Sequence, residues 1–164
     1  NEKELFHAVK NCPKPIIQKY VGCPSEEYTV GSIYINQEVK STIALKRILK
    51  NGNTSIAYKE NYSSIEKYVE CVVRKLMPLG PVNVQLRKNK NQYIIFEINP
   101  RFSGTIYIRN IFGINEIAIV LKEMLNIKRI RTNEKIRYGR VIRYFDEKFI
   151  SNQNIDKIIK LWKF

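Results

Sequence analysis

The stretch that decides the fold is Gly80-Pro81-Val82-Asn83-Val84-Gln85-Leu86-Arg87, followed by Ile94-Ile95-Phe96-Glu97-Ile98-Asn99-Pro100-Arg101. Successive side chains of a strand point to opposite faces. Val82, Val84 and Leu86 therefore share one face of the first run, and Asn83, Gln85 and Arg87 the other. In the second run Phe96 and Ile98 are expected on the apolar face, with Glu97 and Asn99 on the polar one. A hairpin turning near Asn91 sets Gln85 opposite Glu97 and Asn83 opposite Asn99. Directly opposed Cβ atoms lie about 5 Å apart, so four oxygen-bearing side chains converge on one patch. Such ligands suit Mg²⁺, which takes one or two carboxylates and completes its shell with water and phosphate oxygens. A plain solvated strand face is the competing reading. Against it stand the predominance of amides and the run of Glu97-Ile98-Asn99 straight into Pro100-Arg101, which sets a guanidinium beside a carboxylate.

Working outward, residues 64–79 form the best-defined helix. Ile65, Tyr68, Val69, Val72, Val73 and Leu76 follow the i, i+3, i+4 rule. Ser63 and Glu66 have the spacing of a capping box, and Gly80-Pro81 is the expected stop. Before it, residues 16–58 read as strands: 15–21, closed by Gly22, then 27–36 and 42–49, the last followed by the turn signal Asn51-Gly52-Asn53. After the hairpin come a helix over about 115–125 with Ile117, Ala118, Leu121 and Leu125 inward, a basic aromatic strand near 137–145 and a short helix over 155–162. Residues 1–12 read as a short helix ended by Cys12-Pro13. The order predicts an α+β fold with a mostly antiparallel sheet flanked by helices.

Composition sets the outer limits. The chain has 164 residues, 44% of them hydrophobic, which is ordinary globular material with a core to bury. Lys and Arg number 29 against 15 Asp and Glu, for a net charge of +14. No run of consecutive basic residues forms a nucleic-acid arm, and a phosphate-bearing small ligand serves that charge equally well. Three cysteines without paired spacing argue for a reducing, cytoplasmic location. No apolar run approaches membrane-spanning length, and Asn1-Glu2-Lys3-Glu4 is no signal peptide. His7 is the sole histidine, leaving nucleophilic triads little to draw on.

Gly80 to Gln85 followed by Glu97-Ile98-Asn99-Pro100-Arg101-Phe102-Ser103-Gly104 resembles the carboxy-terminal half of an ATP-grasp domain, in the branch similar to the large subunit of carbamoyl-phosphate synthase. The likeness covers about 13–126, with a weaker match over 139–149. Residues 1–12 would be a helix or the remnant of a preceding subdomain, and 127–164 a basic strand and short helix packed on the core. The resemblance implies an enzyme that moves the γ-phosphoryl of ATP onto a small carboxylate, with two Mg²⁺ ions, for attack by an amine. By motif position Gln85 and Glu97 hold one ion, Glu97 and Asn99 the second, and Arg101 steadies the phosphoryl group. Gln18, Lys19, Tyr20 and Val21 stand where the family's hinge strand reads adenine. Glu27 matches the ribose carboxylate, with Glu26 a competing alignment, and Lys46 and Arg47 lie near the segment that reaches phosphates. The family's amino-terminal lobe, with its glycine-rich loop and lysines, has no counterpart in this sequence and is expected as a partner in cis or in trans. Alone, the chain should bind nucleotide weakly and turn nothing over. Two rival expectations are a carbamoyl-phosphate-synthase-type subunit using bicarbonate and ammonia, and a basic module that binds nucleic acid or another polyanion.

Overall fold

The computed structural model describes residues 1–127, 129 and 135–144. The 155–162 helix expected from sequence lies outside them. Six strands form one antiparallel sheet: β1 (Glu27–Ile35), β2 (Glu38–Lys50), β3 (Asn53–Lys59), β4 (Gly80–Asn89), β5 (Gln92–Asn99) and β6 (Gly139–Ile142). Their order across the sheet is β5-β4-β1-β2-β3-β6. Four helices accompany them, α1 (Glu2–Lys10), α2 (Ser63–Leu76), α3 (Ile106–Ile111) and α4 (Glu116–Leu125). The α+β expectation holds.

β1 is the central strand, and all nine of its residues are buried. Its alternation builds two cores. Tyr28, Val30 and Tyr34 join Ala44, Val82, Val84 and Leu86 on the face covered by α2, which contributes Ile65, Val69 and Val73. Burying each such side chain is worth about 1.5–3 kcal/mol. On the opposite face Ile33, Ile35, Ile43, Leu45 and Ala57 meet Ile108, Phe112, Ile114 and Ile119 from α3, α4 and the turn between them. That second core covers only one end of its face. The other end carries Thr29, Glu27, Asn83, Gln85 and Arg47, and this polar end is where the site lies.

The β2–β3 connection is a tight turn with Asn51 and Gly52 both at positive φ (52° and 76°), as the Asn-Gly signal predicts. The β4–β5 hairpin keeps the expected register, Gln85 opposite Glu97 and Asn83 opposite Asn99, but slips by one beyond Gln85, so that Leu86 faces Ile95. Phe96 is the extra residue of this bulge. It does not share a buried face with Ile98: its ring lies 5.2 Å from the Arg87 guanidinium, and Ile98 is exposed.

Four local expectations fail for identifiable reasons. The 15–21 run forms no strand; its residues are largely exposed, and it is held by side-chain bonds described below. The capping box at α2 is absent because Glu66 reaches across to accept from the Ala44 amide (3.0 Å) and Lys59 Nζ (2.9 Å), leaving Tyr62 as N-cap. α2 ends three residues early, at Met77 in the left-handed region (φ 47°), so Leu76 and Leu79 stay exposed. In α4 the inward residues are Glu116, Ala118 and Ile119, and Ile117, Leu121 and Leu125 face outward. α1 forms with a capping box between Asn1 and Glu4 and buries no residue. Among the described residues no helix is long and apolar enough to cross a membrane.

Candidate functional site

The hairpin register brings three side chains to one point. Gln85 Nε2 and Asn99 Nδ2 both donate to Glu97 Oε1, at 2.8 and 2.6 Å. Glu97 is solvent-exposed, while the amides are partly covered. As drawn, both amides turn their N–H groups to the carboxylate. A half-turn of the Asn99 amide about its last torsion exchanges donor for acceptor at the same place, whereas the same turn of Gln85 gives up the bond its Oε1 accepts from Arg47. With both turns made, the cluster offers one carboxylate and two amide oxygens, a donor set that fits Mg²⁺. Among the described residues no group of three His, Cys, Asp or Glu competes as a metal site.

Gln85 Oε1 accepts from Arg47 Nη2, which ties the cluster to a buried carboxylate. Glu27, 3% exposed, is gripped from both sides. Its Oε1 accepts from Arg47 Nε (2.9 Å) and Nη2 (2.6 Å), and its Oε2 from Arg87 Nε (2.9 Å) and Nη2 (2.7 Å). Charge-assisted pairs of this geometry are the strong class of hydrogen bond. A ribose hydroxyl can reach Glu27 only by displacing or joining these donors. Glu26, the competing alignment, lies with Lys46 Nζ (2.6 Å) and the Tyr28 hydroxyl (2.9 Å). The Lys46 ammonium holds the Glu26 carboxyl below its usual range, with the Tyr28 hydroxyl adding to it against a partial burial penalty.

Residues 18–21 lie beside this arrangement without forming a strand. Gln18 Nε2 donates to the Phe96 carbonyl (3.2 Å), Arg87 Nη1 donates to the Val21 carbonyl (3.3 Å), and the Tyr20 ring is 4.5 Å from the Arg87 guanidinium. Lys19 is exposed. Arg87 is thus the common tie between this segment and Glu27. Lys46 and Arg47, adjacent in β2, fall on opposite faces of the sheet; only Arg47 joins Gln85, and Lys46 stays with Glu26 and Tyr28 on the α2 side.

Beneath the cluster sits a network that the sequence did not announce. Arg109 (1% exposed) and Glu116 (2%) pair at 3.0 Å over the backbone of β1. Arg109 Nη2 also donates to Asn83 Oδ1 (2.6 Å) and Thr29 Oγ1 (3.2 Å), and the Thr29 hydroxyl donates to Asn83 Oδ1 (2.8 Å). Asn83 is therefore drawn into the buried network and away from the Glu97 cluster. Burial raises the Glu116 carboxyl and lowers the Arg109 guanidinium, and their mutual attraction opposes both shifts. Space for the pair exists because residue 31 is glycine: a Cβ there would lie 2.0 Å from Glu116 Oε1. The only hints in the sequence are an arginine within an apolar run and a glycine within a strand.

Gln85, alone of the three side chains of the cluster, also borders a polar cleft of about 310 Å³, with Asn83, Arg47, Arg101, Ser103 and Arg143 among its other described neighbours. Among the described residues that border it are three arginines and no acid. Arg101 is exposed and donates to the Phe102 carbonyl (3.0 Å). Ser103 and Thr105 bond to each other (2.7 Å) and fix the loop after Arg101.

Residues 11–146 match the model of a family described as ATP-grasp in the biosynthetic pathway with Ter operon. The chain belongs to this ATP-grasp family. Among solved structures, the ATP-grasp chain is similar to N5-carboxyaminoimidazole ribonucleotide synthetase from Thermus thermophilus (13% identity, TM-score 0.67), covering 85% of this chain and 41% of that one. It is also similar to N5-carboxyaminoimidazole synthase from Aspergillus clavatus in complex with ADP and 5-aminoimidazole ribonucleotide (13%, 0.65, covering 83% and 39%). A third is the phosphoribosylaminoimidazole carboxylase ATPase subunit from Aquifex aeolicus (12%, 0.61, covering 89% and 46%). At these identities the likeness is one of fold, and the chain spans less than half the length of each. None of the three is a carbamoyl-phosphate synthase. No curated protein matches the sequence.

Proposed function

We propose that this chain is the metal-binding, phosphoryl-positioning part of an ATP-dependent carboxylate ligase. The observation that carries the proposal is the meeting of Gln85, Glu97 and Asn99 beside a cleft bordered, among the described residues, by three arginines and no acid. Gln85, Glu97 and Asn99 would hold Mg²⁺, which supplies neutralisation of charge on a transferring phosphoryl group. Arg101, from the same strand end, orients that group and the carboxylate that receives it. Its guanidinium is planar and permanently charged, which suits bidentate contact with either partner. For Gln85 Oε1 to meet the ion, Arg47 would give up its bond to that oxygen and stay paired with Glu27. Residues 18–21 and Glu27 or Glu26 would meet the nucleoside, with Arg87 setting their spacing. The amino-terminal lobe expected of such an enzyme would close over the phosphates.

Titration of the isotopically labelled chain with Mg²⁺ and ADP, followed by NMR, tests the reading. Side-chain amide signals of Gln85 and Asn99 should shift together, and Glu97→Gln should abolish the Mg²⁺-dependent part. Mg²⁺-dependent shifts that persist unchanged in Glu97→Gln would overturn the assignment. The bicarbonate-and-ammonia alternative uses the same residues and differs only in the acceptor, so a substrate soak of the complete protein separates the two.

A further inference from the structure

Asn83 shares the polar face of the hairpin with Gln85, Glu97 and Asn99, and differs from them in what holds it. It is 3% exposed. Its Oδ1 accepts two bonds from inside the fold, from Arg109 Nη2 at 2.6 Å and from the Thr29 hydroxyl at 2.8 Å. A guanidinium has only N–H groups to offer, so the atom that meets Arg109 is the amide oxygen. Arg109 is itself held by Glu116 at 3.0 Å. The Asn99 amide can present either end, but the Asn83 amide has one orientation. What is left of the side chain is Nδ2, with two N–H groups. Among the described residues Nδ2 makes no hydrogen bond. Asn83 also borders the polar cleft, as do Arg47 and Arg101. A side chain that is almost wholly buried thus brings an unpartnered donor to the cleft wall.

We infer that Asn83 is an anion-binding residue whose Nδ2 donates to a negatively charged oxygen in the cleft, with Arg109 as its positioning residue. The identity of that oxygen rests on the ligase reading, in which it belongs to the phosphoryl group or to the carboxylate that receives it. An amide oxygen serves a cation, and an amide N–H serves an anion. Asn83 therefore leaves the expected set of four oxygen donors and works with Arg101. Its donor is set before the ligand arrives, so binding costs no reorientation.

The full chain, labelled with ¹⁵N, is titrated by NMR with inorganic phosphate and, separately, with acetate, both without metal. The side-chain N–H signals of Asn83, identified by their loss in Asn83→Asp, should move with at least one of the two. Movement by phosphate alone assigns the oxygen to a phosphoryl group, and by acetate alone to a carboxylate. Asn83→Asp keeps an oxygen for Arg109 and Thr29 and puts a second oxygen where the donor was, so affinity for that anion should fall at least about tenfold. Asn53→Asp adds the same charge at the border of the same cleft and should cost less than about threefold. Arg109→Met with Glu116→Leu leaves Thr29 as the sole partner of Oδ1. It should weaken the anion at least about threefold, while the Mg²⁺-dependent shift of Asn99 stays as it was. Asn83 signals that neither anion moves, or equal losses in Asn83→Asp and Asn53→Asp, would overturn the inference. Unchanged anion affinity in the Arg109→Met, Glu116→Leu variant would overturn the role of Arg109. Anions that move Asn83 while Mg²⁺ and ADP leave Gln85 and Asn99 unmoved sink the ligase reading and keep the anion donor. The reverse pattern sinks the donor alone.

Discussion

Gly31→Ala tests the buried network most directly. The backbone at this position is ordinary, so the whole effect is steric. The added Cβ would lie 2.0 Å from Glu116 Oε1, 2.2 Å from Arg109 Nη1 and 2.5 Å from Arg109 Cζ. Normal contact begins at about 3.5 Å, and both partners are 1–2% exposed, so neither can swing into water. The methyl must part the pair or lift α4 from the sheet. Separating a buried ion pair costs about 3–5 kcal/mol, which in a chain of this length lowers Tm by about 6–20 °C. Urea unfolding followed by circular dichroism reads the loss. The decisive comparison is the same substitution in an Arg109→Met, Glu116→Leu background, where the charges are gone; there the cost should fall by at least about 2 kcal/mol. A loss below about 1 kcal/mol in the parent, or equal losses in both backgrounds, would refute the steric reasoning.

Further expectations follow from the other interactions. Ile65→Ala, which empties a buried position between α2 and the sheet, should cost about 2–5 kcal/mol in the same assay. Glu26→Gln should lower stability near neutral pH by less than about 1 kcal/mol, since Lys46 and Glu26 are each about a third exposed. Because the Glu26 carboxyl is held below its unfolded value of about 4.3, this difference is complete above that pH and vanishes as acid protonates the folded carboxyl. Denaturation curves at a series of pH values check the convergence. The Ser25 hydroxyl lies 3.0 Å from Cys23 Sγ and, with the Ser25 amide, holds that thiol below its usual range. Ser25→Ala should therefore slow alkylation of Cys23 by iodoacetamide at pH 7.5, measured by peptide mass spectrometry.

The parts of this molecule legible in its sequence are those governed by strict periodicity. Period-two alternation in β4 and β5 placed Gln85 against Glu97 without coordinates, and the Asn51-Gly52 signal placed the β2–β3 turn. What escaped depends on partners distant in the chain. Glu66 has the spacing of a capping residue, but a strand amide and Lys59 compete for it and win. The 15–21 run has strand composition, yet two side chains hold it instead of a ladder. Glu27 announces a carboxylate, not that Arg47 and Arg87 occupy both its oxygens. Arg109 sits in an apolar run that reads as loop, and only its meeting with Glu116, Thr29 and Asn83 gives it meaning.

β6 pairs with β3 across a long intervening stretch of chain, and Arg143 follows directly on β6. During synthesis the five earlier strands and α2 can consolidate while this last edge is still within or near the ribosome. The scaffold is therefore complete before its third guanidinium arrives. A nascent protein halted short of Gly139 would hold both cores and lack the β6 edge.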